Sequence, residues 1–292
     1  MAKVYFTKTI TPEAVIRMYE LLERELSGKV AVKVHSGEQG NQNFLRPAFL
    51  QPMVERVSGT VVECNTAYDG ARNSTKKHRR LFETHGWSAL FDVDLMDAEG
   101  PDLVLPIPNG KVIHENFVGK NLKNYDSLLV LSHFKGHPMG GFGGALKQLS
   151  IGCASSEGKA YIHSGGFTKD QSIVWEHCAE QNAFLEAMAD AASSVVQMFD
   201  GRAAYVSVMC NLSVDCDCCE VAEDPCMRDI GILSSLDPVA LDTACMDRIL
   251  AAKDDPGQAH FLQRVTRQNG THILEAAEAL GIGSRTYELV EV

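Results

Sequence analysis

Three short, almost wholly apolar runs at residues 30–34, 125–132 and 203–209 each lead directly into a polar loop dense in functional groups. Strands covered on both faces read as continuous apolar runs, whereas half-exposed strands alternate. Around them stand helical patterns. Val15, Met18, Leu22 and Leu26 recur at helical spacing behind a Thr11-Pro-Glu start, and Asp237-Pro238 opens another such segment. This order predicts an α/β fold with a mostly parallel central sheet flanked by helices. In such sheets the loops beyond the carboxyl ends of the strands carry the site.

The expected organisation is one α/β domain over residues 1–292. Residues 87–124 break the rhythm with Pro101, Pro106, Pro108 and an Asn109-Gly110 turn. That stretch fits short antiparallel strands in a small inserted subdomain.

A formal charge of −11 argues against nucleic acid and anionic membrane as partners. No apolar run approaches membrane-spanning length and no secretory leader is read, so the expected location is the cytoplasm. The nine cysteines then point to burial, metal ligation or redox chemistry rather than structural disulfides.

Four of them, Cys216, Cys218, Cys219 and Cys226, fall within eleven residues directly after the third apolar run. They form a pool of thiolate ligands for an iron-sulfur cluster or for zinc. Adjacent side chains on an extended chain point apart, so Cys218 and Cys219 are not expected to serve equally. Asp215 and Asp217 oppose thiolate formation by like charge unless a metal or a lysine compensates.

The second run enters His133-Phe-Lys-Gly-His137, then Gly140-Gly-Phe-Gly-Gly144 and Lys147. His133 and His137 can supply nitrogen ligands or move a proton. Gly143 and Gly144 allow backbone N–H groups to approach an anion, with the following helix start and Lys147 adding positive potential. Asp242 is a candidate catalytic or ligand-orienting carboxylate, and Asp237 a helix cap. Lys76, Lys77, Arg79 and Arg80 fit a solvated helix face.

Ser132-His-Phe-Lys-Gly-His137, the 140–147 loop, Ile151-Gly-Cys-Ala154 and the 229–242 segment together make the chain resemble a widespread family of iron-sulfur centre proteins built on a domain of unknown function. The resemblance spans nearly the whole chain. It implies a cytoplasmic protein with an iron-sulfur centre of the 4Fe-4S type, and marks His133, His137, Gly143, Gly144, Lys147, Asp237 and Asp242, with Cys216 and Cys218 in a short cysteine loop. Some members carry a ferredoxin-like segment with repeated Cys-x-x-Cys spacing, which this sequence lacks.

The expected function is therefore metal or iron-sulfur binding, in a redox enzyme or an electron-transfer component with a protein partner, acting on a small anionic molecule. The alternatives are a zinc-dependent hydrolase or lyase, and a protein that stores or transfers metal.

Overall fold

Ser127–His133 lies in the middle of the sheet with all seven residues buried. The computed structural model of the chain describes residues 1–100 and 102–292; of the prolines noted above, Pro101 lies outside them. In chain order the strands are β1 (Ala2–Thr7), β2 (Val30–Lys33), β3 (Thr60–Glu63), β4 (Val93–Leu95), β5 (Leu103–Pro106), β6 (Glu115–Val118), β7 (Ser127–His133), β8 (Lys135–His137), β9 (Gly141–Gly143), β10 (Ala203–Met209), β11 (Gly231–Ser235) and β12 (Tyr287–Glu291).

Eight of them form one sheet in the order β12-β1-β11-β10-β7-β2-β3-β4. β11 pairs antiparallel with both neighbours, and the other pairings are parallel. The expected mostly parallel sheet is thus the one observed.

The apolar runs are continuous because both faces of the sheet are covered. In β7, Leu129 and Leu131 pack with Val15, Met18, Leu50 and Met53 of helices Pro12–Glu20 and Pro47–Arg56. Leu128 and Val130 pack on the other side with Leu185, Ala189 and Ala192 of helix Gln181–Met198 and with Leu241 of helix Pro238–Ala251. Each such fully buried side chain contributes about 1.5–3 kcal/mol of burial free energy. Cutting Leu129 to alanine would cost about 2–5 kcal/mol, because no face of β7 can relax into solvent.

The irregular region divides. Residues 93–95 join the main sheet as β4, parallel to β3, rather than lying in a short antiparallel unit. β5 and β6 form a separate antiparallel pair, with Leu105 opposite Asn116.

The register decides where the chemistry lies. Val30 pairs with Ser127 and Leu128 with Ala203, so β2, β7 and β10 run side by side in one direction, β2 ending level with Val130 and β7 and β10 running on to His133 and Met209. Lys33, Glu63, His133 and Cys210 therefore all stand at one edge of the sheet. Among the described residues no helix is long and apolar enough to cross a membrane.

Candidate metal and anion site

The cysteine loop is built onto this edge by its neighbours. Asn41, in the loop after β2, donates from Nδ2 to the carbonyls of Cys216 (3.3 Å) and Cys219 (2.9 Å). The Glu38 amide donates to the Asp217 carbonyl at 2.7 Å, and the Gly136 amide to that of Ser213 at 2.8 Å. At Gly136 a Cβ would meet the Val214 carbonyl oxygen at 2.3 Å, so glycine permits that approach.

Asp217 is the anchor beneath the loop. Its carboxylate receives His133 Nδ1 at 2.9 Å and Lys135 Nζ at 2.9 Å, with all three side chains nearly fully buried. Burial opposes the charge on Asp217, but the His133 and Lys135 charges outweigh it and hold the carboxyl far below its ordinary range. His133 Nε2 lies 2.7 Å from the Cys210 carbonyl, so both ring nitrogens face acceptors. His133 is thus committed to the loop's foundation, and it does not line the cavity described below. Asp215 meets Arg264 at 3.1 Å. Both acids expected to discourage thiolates are therefore neutralised by basic partners.

On this base His137, Cys216 and Cys218 converge. One ligand atom from each lies within 4.8 Å of the other two, a spacing that can hold a metal ion. Lys147 Nζ lies 3.3 Å from Cys216 Sγ. Burial works against a charged Cys216, yet a hydrogen bond from Cys218 and the ammonium groups of Lys147 and Lys135 bring its thiol well below the usual range. Cys218 moves the opposite way, chiefly because its proton is held between the sulfurs of Cys216 and Cys219. The two thiols are thus driven apart in acidity, Cys216 toward the thiolate and Cys218 toward the thiol.

Cys219 sits beside Cys218, half-buried and outside the group of three. Cys226 is directed elsewhere, its Sγ lying 3.4 Å from the Leu212 carbonyl. Two thiolates and an imidazole suit one ion of zinc type, whereas a four-iron cluster takes four thiolate corners. Among the described residues no four thiolates converge as such a cluster requires.

His137 and Lys147, with Cys218, line a cavity of about 860 Å³. Across it stands helix Ser156–His163, whose Lys159 and His163 are one turn apart on the same face. His163 Nδ1 donates to the Lys159 carbonyl at 2.7 Å, which leaves Nε2 as a lone pair without a partner among the described residues. Its ring stacks on Phe184 at 4.9 Å and meets Trp175 edge-on at 5.4 Å. The remaining wall carries an ion-pair network in which Glu63 meets Lys33 at 3.2 Å and Arg72 at 3.8 Å, and Arg72 also meets Glu38 at 3.2 Å.

Sequence reasoning passed over His35, Lys159 and His163. His35, half-buried and with its pKa pushed down to about 4 chiefly by desolvation, receives the Gly37 amide on Nδ1 at 3.1 Å and lines the cavity. It stands in the polar loop that follows the first apolar run, and its position directly after β2 was the available signal. Lys159 and His163 lie on a helix rather than in a post-strand loop, and their four-residue spacing was the only hint.

The glycine loop departs from its expected use. The amides of Ala145 and Leu146 donate to the two oxygens of Asp242 at 2.8 and 2.9 Å, so the protein's own carboxylate occupies that helix start. Burial pushes the Asp242 carboxyl up to about 7, against the pull of those two amides. A Cβ on Gly144 would meet Asp242 Oδ1 at 2.3 Å, whereas one on Gly143 would meet only Lys147 Cδ, at 3.1 Å. Asp237 caps helix Pro238–Ala251 through the amides of Val239 and Ala240, as expected.

Two solved structures are similar in chain course. The lactate racemase apoprotein from Thermoanaerobacterium thermosaccharolyticum is 14% identical over 70% of this chain and 50% of that one, with a TM-score of 0.43. A Thermotoga maritima protein solved by the Northeast Structural Genomics Consortium is 10% identical over 92% and 59% respectively, with a TM-score of 0.41. This chain thus covers less than two thirds of either. No curated protein sequence matches it. Residues 30–247 match the family described as a domain of unknown function, DUF362, and the chain belongs to that family.

Proposed function

We propose that the chain is a metal-dependent enzyme of hydrolase or lyase type, with a single zinc-type ion held by His137, Cys216 and Cys218 and a small anionic substrate in the adjoining cavity. The observation that carries this reading is the convergence of those three ligand atoms within 4.8 Å beside a cavity of about 860 Å³. Three protein ligands leave a zinc-type ion an open position, where it acts as a Lewis acid. Lys147 holds Cys216 as a thiolate, and the unpartnered Nε2 of His163 can accept a proton from a group in the cavity. The cavity favours turnover of a small molecule over metal storage, which needs no such space.

One observation favours a second reading, thiol chemistry without metal. His137 Nδ1 accepts the amides of Met139 (3.2 Å) and Gly140 (2.8 Å), so the neutral ring carries its proton on Nε2. In that form His137 is a donor toward the sulfurs, and ligation through Nε2 requires that proton to leave.

Metal analysis after anaerobic purification separates the two. The metal reading expects about one zinc per chain, lost on Cys216→Ser or Cys218→Ser and kept on Cys226→Ser. Folded protein that takes up no metal, with Cys216 still reactive, would establish the thiol reading instead.

A further inference from the structure

Among the described residues two cations at the cavity, Lys147 and Lys159, have no carboxylate partner. Lys33 is paired with Glu63, Arg72 with Glu38 and Glu63, and Lys135 below the loop with Asp217, while Lys147 faces a sulfur. Lys159, only 7% exposed and lining the cavity, has no carboxylate within 4.0 Å among the described residues. Its Nζ donates to the Ala154 carbonyl at 2.6 Å, and an ammonium has two further N–H groups to place. A buried charge without a partner is costly, so such a group calls for an anion.

A second orphan donor lines the same cavity. Gln148 Oε1 accepts from Lys33 Nζ at 3.1 Å, while its buried Nε2 has no partner among the described residues. Turning the amide over would set N–H against N–H, so the Lys33 contact fixes which end is left over. Gly152 leaves room for the Gln148 and Lys33 side chains to lie as they do, since a Cβ there would meet Gln148 Oε1 at 2.7 Å and Lys33 Cε at 2.8 Å.

The geometry points to Lys159 and the Gln148 amide as the anion-binding pole of the cavity, taking the oxygens of a carboxylate or phosphate on a small ligand whose other end reaches toward Cys218 and His137. This places the anion away from the glycine loop, whose helix start Asp242 already fills. The inference rests on the proposed function for the reaction but not for binding, because neither Lys159 nor Gln148 is a ligand of the ion.

Isothermal titration calorimetry of the full chain with phosphate, malonate and uncharged malonamide, with and without zinc, tests the subsite. Saturable one-to-one binding of phosphate or malonate is expected in both forms, with no binding of malonamide, and the preferred anion identifies the ligand class. Lys159→Met should weaken that binding about tenfold or more, Lys159→Arg should largely restore it, and zinc content should be unchanged. If Lys159→Met does not fold, Gly152→Ala, which intrudes only on flexible side-chain ends, should weaken binding instead. Failure of the wild-type protein to bind either anion, or unchanged affinity in the folded variants, overturns the subsite. Anion binding that persists in protein unable to take up zinc would leave the subsite standing and remove the metal reading; zinc uptake without anion binding would do the reverse.

Discussion

Lys147 Nζ stands 3.3 Å from Cys216 Sγ, a half-buried ammonium set against a buried sulfur. Neither charge is tolerable there alone, so each supports the other. In metal-free protein, Lys147→Met should move the Cys216 ionisation to higher pH by about one unit or more. The measurement is the ultraviolet absorbance of the thiolate against pH, with the Cys216 step identified as the one that Cys216→Ser removes. A step that stays at the same pH would show that Lys147 does not set the thiolate.

The protonation of His137 is directly observable by nitrogen-15 NMR. Metal-free protein should show Nε2 protonated and Nδ1 bare, as the Met139 and Gly140 amides dictate. Stoichiometric zinc bound at Nε2 should shift the ring proton to Nδ1, and the two amides, losing that acceptor, should exchange faster with solvent. An unchanged ring in zinc-loaded protein would mean that the ion is held by sulfur alone.

Asp242 and Gly144 occupy one space. Asp242→Ala leaves two buried amides without an acceptor and should cost about 2–4 kcal/mol in urea denaturation. Gly144→Ala drives a Cβ into the carboxylate and should cost a similar amount, whereas Gly143→Ala should cost about 1 kcal/mol or less. The double variant at 242 and 144 should be little worse than Asp242→Ala alone, because removing the carboxylate makes room for the methyl group. Simple additivity would contradict the shared-space account.

His163 ties stability to pH. Burial pushes the ring down to about 4 in the folded chain, whereas the unfolded chain titrates near the ordinary value of 6.5. Between those values the unfolded state binds the extra proton. The stabilising contribution is therefore present above pH 6.5 and is lost as pH falls toward 4, by on the order of 3 kcal/mol at most. Urea unfolding across that window should show the decline, and His163→Asn should make it shallower, leaving the part that His35, also pushed down to about 4, contributes. An equal slope in the variant would assign the decline to other groups.

The sheet was legible because burial on both faces leaves a plain trace. Nothing but an apolar run can occupy β2, β7 or β10, so their existence, and the edge where their loops gather, followed from composition over a few residues. Side-chain direction at that edge was not legible. His133 and His137 look equivalent in sequence, yet β7 ends in the sheet and β8 turns back toward β9, so His133 faces Asp217 while His137 faces the sulfurs. The cysteines divide for the same reason, since the sharp turn that bonds the Cys219 amide to the Cys216 carbonyl at 2.9 Å cannot be read from spacing. The helix carrying Lys159 and His163 escaped notice because its role depends on what it faces, and that is settled by contacts distant in sequence.

The pairing of β7 with β2 on one side and β10 on the other also sets an order of events in the cell. During synthesis Lys33, Glu63, Lys147 and Lys159 all leave the ribosome before any residue of the cysteine loop, which follows β10 directly. The sulfur side of the site is therefore the last part of it to be made. Only a chain in which β10 has paired with β7 can bring Cys216 and Cys218 up to His137.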